Sequence, residues 1–396
     1  IEEYTDSFGL FIPTEPLLFG LMLLFLMINL RKRIYDVNIW KNPIIWAVSF
    51  YIGWIFITSI TSSLPLVSFK FLLARLWFII PMLFLGSIVF QKEVNIKRFL
   101  WLYAIGMMIA IAYTLVVHAS YGFGEKESHW VMWPFFKDHT IYGAMVAFNL
   151  PILVGLYLSK KHSPLVQAVL ISFIVLNLVG LYFSYTRAAW LSVIAALGVL
   201  GLIYFRIKFS LLVYVTLFLG AILFFSWDSI QMELARNKSE HTTEEFGKRL
   251  ESAANVTTDA SNLERLNRWS CALQMFEERP IVGFGPGTYA FQYARFQEPE
   301  NTTIISTNFG DAGNAHSEYL GPLSEMGVFG LLSMIFIVSA IFYKGIMLYL
   351  NWPAEQSEMK VLILSMVLAL VTYFVHAFLN NYLDTDKAAV PIWGFC

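Results

Sequence analysis

Residues 141–161 read Ile141-Tyr-Gly-Ala-Met-Val-Ala-Phe-Asn-Leu-Pro-Ile-Leu-Val-Gly-Leu-Tyr-Leu-Ser-Lys-Lys161. An uncharged apolar run of this length crosses a bilayer, which takes about 20 residues of helix. Lysines at its end mark the side that stays in the cytoplasm, because basic residues are retained there during insertion. The same unit recurs along the chain. Apolar runs expected to span lie near 15–30, 43–61, 71–90, 99–117, 141–159, 165–184, 188–205, 209–226, 326–348 and 361–380. Arg31, Lys32 and Arg33 follow the first, Lys92, Lys97 and Arg98 the third, and Lys160 and Lys161 the fifth. Arg206 and Lys208 follow the seventh, and Lys344 and Lys360 flank the link after the ninth. Every second connection is basic. The alternate connections, 62–70, 118–140, 185–187, 227–324 and the stretch after Asn380, are therefore expected on the outer face.

Composition agrees with lipid as the main solvent. Only 14% of the residues are charged, against about 25% in soluble domains. The mean hydropathy is +0.61. A net charge of −1 with no basic block speaks against a nucleic-acid partner. Cys271 and Cys396 make neither a disulfide framework nor metal-ligand spacing and read as small apolar filler. The chain opens on Ile1, and residues 388–394 begin a further apolar run, so a segment is expected beyond each end. The expected fold is an all-α, polytopic transmembrane helical bundle with about ten complete spans. Its expected division is 1–226 for the first eight spans, 227–324 for a large outward loop containing amphipathic helices, and 325–396 for the last spans.

Within that loop, 236–262 is polar and expected to be irregular. Ser261-Asn-Leu-Glu264 reads as a capping box opening a helix that runs to about Glu278, with Leu263, Leu266, Leu273 and Phe276 as its apolar stripe. Pro280 and Gly283-Phe-Gly-Pro-Gly287 end it and force turns.

Charges at the outer edge of the membrane are few. Arg187, in Phe183-Ser-Tyr-Thr-Arg-Ala-Ala-Trp190, sits at a turn between two spans. It is either a snorkelling anchor or a fixed cation at the mouth of a membrane cavity, where its planar fork suits phosphate oxygens. Arg265 and Arg268 lie a turn apart on the loop helix, with Trp269 placed to support Arg265. They read either as a solvated face with a Glu264–Arg268 pair or, converging with Arg187, as a diphosphate clamp. His316, in Gly313-Asn-Ala-His-Ser-Glu-Tyr-Leu320, stands where the loop re-enters the membrane. A neutral imidazole there can accept a proton from a hydroxyl. Asn314 and Glu318 could orient it, and Tyr319 completes the motif. No second His or Cys stands at ligand spacing, so metal is not expected. Asp138-His139-Thr140 and Arg75, both near the outer ends of spans, could reach the same cavity; His376 and Asn380-Asn381 are weaker candidates.

Taken together, Ser184-Tyr-Thr-Arg-Ala-Ala-Trp-Leu191, Arg265-Leu-Asn-Arg-Trp269, Pro280-Ile-Val-Gly-Phe-Gly-Pro-Gly287, Asn314-Ala-His-Ser-Glu-Tyr-Leu320 and Gly327-Val-Phe-Gly330 resemble landmarks of the O-antigen ligase and O-antigen polymerase superfamily of bacterial membrane glycosyltransferases. The resemblance covers about residues 140–345. It implies a GT-C type fold with about twelve spans in the full protein, in the bacterial inner membrane, with the active site facing the periplasm. It also implies a polyprenyl-diphosphate-linked glycan as donor and a lipid A–core sugar or another glycan as acceptor, with membrane lipids around them. The reaction it implies is metal-independent, inverting transfer, with no cofactor. Carried onto this chain, the turn arginine is Arg187, the loop arginine Arg265 with Arg268 in reserve, and the activating histidine His316. Ligase and polymerase share these motifs, and the reading leans to the ligase. A transporter for the same lipid-linked glycan, or a peptidoglycan polymerase of the shape-and-division family, remains open.

Overall fold

The computed structural model describes residues 14–32, 37–207, 260–297 and 313–396. Among these residues nine helices are long and apolar enough to cross a membrane. They are α1 (Thr14–Arg31), α2 (Pro43–Ile60), α3 (Pro65–Val89), α4 (Glu93–Ser120), α5 (His139–Ser159), α6 (Pro164–Tyr182), α7 (Arg187–Tyr204), α10 (Leu320–Asn351) and α11 (Ser357–His376). Each coincides with an expected span. The tenth, 209–226, lies outside the described residues, as do Arg33, Lys208 and the polar stretch up to 259. The remaining helices are α8 (Ala260–Glu278), α9 (Tyr289–Gln292), which passes into a 3-10 turn at Tyr293–Phe296, and α12 (Asp386–Phe395). The chain is an all-α polytopic membrane protein.

Helix starts follow local chemistry. Asn42 accepts a hydrogen bond from the Ile44 amide (3.1 Å) ahead of Pro43. Asp138 accepts from Thr140 N (2.8 Å) and Ile141 N (3.1 Å) to open α5. Each side chain satisfies amides that the first helical turn leaves without partners. In α3, Pro81 supplies no N–H, and the helix widens into a π turn over Ile80–Leu85.

Burial separates core from periphery. Over their spanning windows 72% of α5 and 67% of α11 is buried, against 17% of α1. α5 and α11 therefore form the centre, and α1, α6 and α7 turn mainly outward toward lipid. The two central helices approach closely because α5 carries Gly155, where a Cβ would sit 2.4 Å from the Ser365 side chain on α11. Small residues allow such backbone contact inside a bilayer, where dispersion rather than water exclusion drives packing. A polar clasp ties α5 to α6: Asn149 Nδ2 donates to Asn177 Oδ1 (2.9 Å), and Asn177 Nδ2 donates to the Val146 carbonyl (3.0 Å).

α10 is two helices broken at Gly327, whose φ of 69° and ψ of −164° only glycine adopts comfortably. The break opens backbone groups that the segment after α8 fills. Val328 N donates to Pro280 O (2.8 Å) and Gly285 N to Glu325 O (2.8 Å). The same segment is tied to the α2–α3 connection, where Ser63 N and Oγ both donate to Phe284 O (2.8 Å each) and Ser68 Oγ to Pro286 O (2.8 Å). The described part of the loop is thus fastened to the bundle by main chain.

One expectation for α8 needs correcting. Leu273 is 46% exposed, whereas Cys271, Ala272 and Met275 are fully buried together with Glu264 and Arg268. Among the residues whose burial is described, the buried stripe is 264–268–271–275, with Leu266 and Phe276 only partly buried. Small Cys271 and Ala272 let α8 lie close against α10, and the Glu264–Arg268 pair makes the polar part of that face tolerable to bury.

Candidate functional site

The polar side chains gather at one end of the bundle, where α5, α7 and α10 begin and α11 ends. Arg187 is the first residue of α7 and half-buried. The turn before it is held against α5: Thr186 Oγ1 donates to the His139 carbonyl (2.9 Å), and Ser184 Oγ donates to Leu181 O (2.7 Å). Tyr185, with φ of 51°, sends its hydroxyl to the Phe123 carbonyl (2.7 Å). These bonds fix the direction in which Arg187 leaves the membrane edge.

His316 lies on a short return strand with φ of 45°. Its amide donates to Asn314 Oδ1 (3.0 Å), an Asx turn that tolerates the left-handed backbone. On its far side Glu318 anchors the strand. Glu318 N donates to the Ala377 carbonyl (2.9 Å), and its Oε1 accepts from Tyr373 OH (3.0 Å), Tyr382 N (2.7 Å) and Leu383 N (2.7 Å). Burial pushes the Glu318 carboxyl above its usual range, and the Arg75 charge opposes that shift. Tyr319 stacks on Phe378 (4.3 Å between centroids) and donates to Phe374 O (3.1 Å). Asn314, Glu318 and Tyr319 therefore hold the strand that presents His316.

Arg268 has the same kind of task. Its Nε pairs with Glu264 (2.7 Å), its Nη1 donates to the Asn314 carbonyl (3.2 Å), and it lies over the Tyr293 ring (5.2 Å). Buried and bound on each side, it braces the histidine strand from below. Arg265 lies one turn of α8 before it. Its charge bears on His139, His316, His376 and Tyr382, side chains from four segments that converge on it. Asp138, oriented by its capping bonds, bears on His139, His376 and Tyr382 as well. Trp269 stands on the same helix with its indole Nε1 buried and unbonded among the described residues.

His316 is drawn into this group by Asn380, which hydrogen-bonds its side chain and also meets His376 Nε2 at 3.0 Å. Burial first, then the Arg268 and Arg265 charges, hold the His316 imidazole down to about 4 from the usual 6.5. At neutral pH it is an uncharged base beside a fixed cation. The arrangement can neutralise an anion and take up one proton at neighbouring points.

Arg75 sits elsewhere. It is buried in α3 and lines a cavity together with Asn314, Ser317 and Glu318 but not His316. Sequence reading missed Tyr382, whose hydroxyl bonds Thr140 Oγ1, and His129, whose ring packs on His139 (4.1 Å). For Tyr382 a signal existed, the polar run Asn380-Asn-Tyr-Leu-Asp384 after the last span; for His129 there was none, since only folding brings it to α5.

Residues 172–335 match the family model described as O-antigen ligase, an interval that contains Arg187, Arg265 and His316. No curated protein matches the chain.

Proposed function

We propose, from the match of residues 172–335 to the O-antigen ligase family model, that the protein transfers a polyprenyl-diphosphate-linked glycan to a sugar hydroxyl at the outer face of the membrane. The observation that carries this reading is the convergence of Arg265 with His316 at the end of the bundle where α7 opens on Arg187.

In this account Arg187 and Arg265 hold the diphosphate, whose bidentate oxygens suit planar guanidinium groups. Neutral His316 takes the proton of the acceptor hydroxyl as its oxygen attacks the anomeric carbon. The bond from that carbon to the diphosphate breaks, and the arginines neutralise the charge released on the polyprenyl diphosphate. Attack opposite the leaving group inverts the anomeric centre. This reading implies a fold of the GT-C type, and the basic connections support it by favouring the cytoplasm for the opposite end of the bundle.

Arg268, tied to Glu264 and to the histidine strand, is a positioning residue rather than part of the clamp. A transporter is disfavoured because the polar groups crowd one end, while the central helices are packed through their middles.

The acceptor is expected to be a lipid A–core sugar, as in a ligase; the alternative is the end of another lipid-linked chain, as in a polymerase. Lipopolysaccharide banding of a deletion strain decides. Free core with accumulating lipid-linked polymer is expected. Core carrying a single repeat unit identifies the polymerase, and banding unchanged from wild type contradicts both.

A further inference from the structure

Against the segment that carries His316 lies a cavity of about 310 Å³ that His316 itself does not line. Asn314, Ser317 and Glu318, within two residues of His316 in sequence, form one wall. The other walls come from α2, α3, α10 and the segment after α11, through Tyr51, Arg75, Glu325 and Asn381, with exposed Asp384 at the rim.

Arg75 is the decisive residue. It is 5% exposed, and its Nε and Nη1 have no hydrogen-bond partner among the described residues. The Tyr51 hydroxyl takes one bond from the guanidinium, and the Phe71 ring lies 4.7 Å from it. The nearby carboxylates do not answer the remaining donors. Glu318 spends Oε1 on Tyr373 and two amides, and Glu325 Oε1 accepts from Tyr289 N (2.9 Å). Asn381 Oδ1, which also lines the cavity, is likewise buried and unbonded among the described residues. Buried donors left without acceptors are costly, so a charged one persists where a ligand completes it.

The chemistry of the walls selects that ligand. A phosphate would satisfy Arg75 but would face Glu318, Glu325 and Asp384. An apolar tail would satisfy nothing. Vicinal sugar hydroxyls donate to carboxylates and to the Asn381 Oδ1 and accept from the guanidinium, and their ring faces pack on Phe71 and Tyr289. The volume lies at the small end of ligand cavities, roughly 300–1,000 Å³, and suits a saccharide unit rather than a lipid tail.

We propose that the Arg75 cavity is a sugar-binding subsite for a non-acidic saccharide unit next to the bond made at His316. This rests on the transferase reading above. The unit belongs either to the acceptor or to the donor glycan, and the test separates the two.

The full chain, purified in detergent, is assayed with polyprenyl-diphosphate-linked glycan and rough lipopolysaccharide, as wild type and as Arg75→Gln, Asn381→Ala and Asp384→Asn. Loss of charged hydrogen bonds predicts a rise of about tenfold or more in KM for one substrate in Arg75→Gln, falling on KM rather than kcat. A rise confined to lipopolysaccharide assigns the acceptor sugar; one confined to the lipid-linked glycan assigns the donor. Saturation-transfer NMR with delipidated core oligosaccharide and delipidated glycan as probes measures occupancy without turnover. One probe is expected to give a signal in wild type that Asn381→Ala weakens. Folded variants with wild-type KM for both substrates and undiminished NMR signals overturn the subsite. If wild type transfers nothing yet binds a probe through Asn381, the transferase reading falls while the subsite stands.

Discussion

His316 is held neutral by its surroundings, and this has consequences in acid. Its imidazole titrates near 4 in the folded chain and near 6.5 when unfolded. Above 6.5 neither state binds the proton; between 6.5 and about 4 only the unfolded chain does. Stability associated with this group is therefore complete above 6.5 and is lost as pH falls toward 4. A His316→Asn variant is expected to show a flatter dependence of Tm on pH in that window; an unchanged slope would assign the loss to other groups. For activity, the acid limb of kcat/KM, which reports the free enzyme, is expected well below 6.5. The limb of kcat should lie higher, because bound diphosphate stabilises the imidazolium. Arg268 makes a second residue-scale test. Arg268→Gln leaves the Glu264 carboxylate buried without its cation, which costs about 3–5 kcal/mol. Adding Glu264→Gln is expected to recover most of that loss in thermal unfolding but little of the transfer rate, since the Asn314 carbonyl has still lost its donor. Recovery of both would reduce Arg268 to an internal pair. Sequence reading singles out Arg187 and His316 as polar groups at a membrane edge and Arg265 as a cation on the loop helix. It could not tell that Arg268 turns inward, because helical spacing allows both faces until α8 is docked.

At the scale of elements, the landmark glycines have a mechanical explanation. The segment 280–287 crosses the broken turn of α10 backbone to backbone, and a Cβ at Gly327 would lie 2.2 Å from the Ile281 carbonyl oxygen. Gly327→Ala adds strain of an L residue at positive φ to that collision. The expected loss is about 2–5 kcal/mol, read as a lowered Tm and a protease-sensitive loop. Wild-type Tm in this variant would mean that the segment is not seated as described. The extents of the helices were legible from apolar length and basic flanks, as were the terminating Pro280 and the glycine turns. The buried stripe of α8 was not. Hydrophobicity favoured the leucines, but α10 required small side chains at 271 and 272, and a paired Glu264 and Arg268 could be buried beside them. The break at Gly327 was hidden for a similar reason, since a glycine inside an apolar run signals close approach or a kink equally.

For the whole molecule, nine spans were readable because lipid punishes any other placement of their backbone polar groups. The Arg75 cavity was not readable, since its walls come from five separated segments and Arg75 and Glu325 sit inside spans where sequence expects only apolar filling. The orientation can be tested directly. In a background with Cys271 and Cys396 replaced by serine, exposed Lys126→Cys is expected to react with a membrane-impermeant maleimide on intact spheroplasts, and Lys161→Cys only after lysis. The reverse pattern would invert the molecule and remove the site from the outer face. The central claim is glycan transfer by His316 beside an arginine clamp, and it needs only purified protein. In detergent, with lipid-linked glycan and lipopolysaccharide acceptor and no sealed vesicle, wild type is expected to join the two. His316→Ala should bind donor yet lose transfer by about 10²–10⁴-fold, and Arg187→Lys should lose donor affinity. Wild-type transfer by the His316→Ala protein would contradict the account.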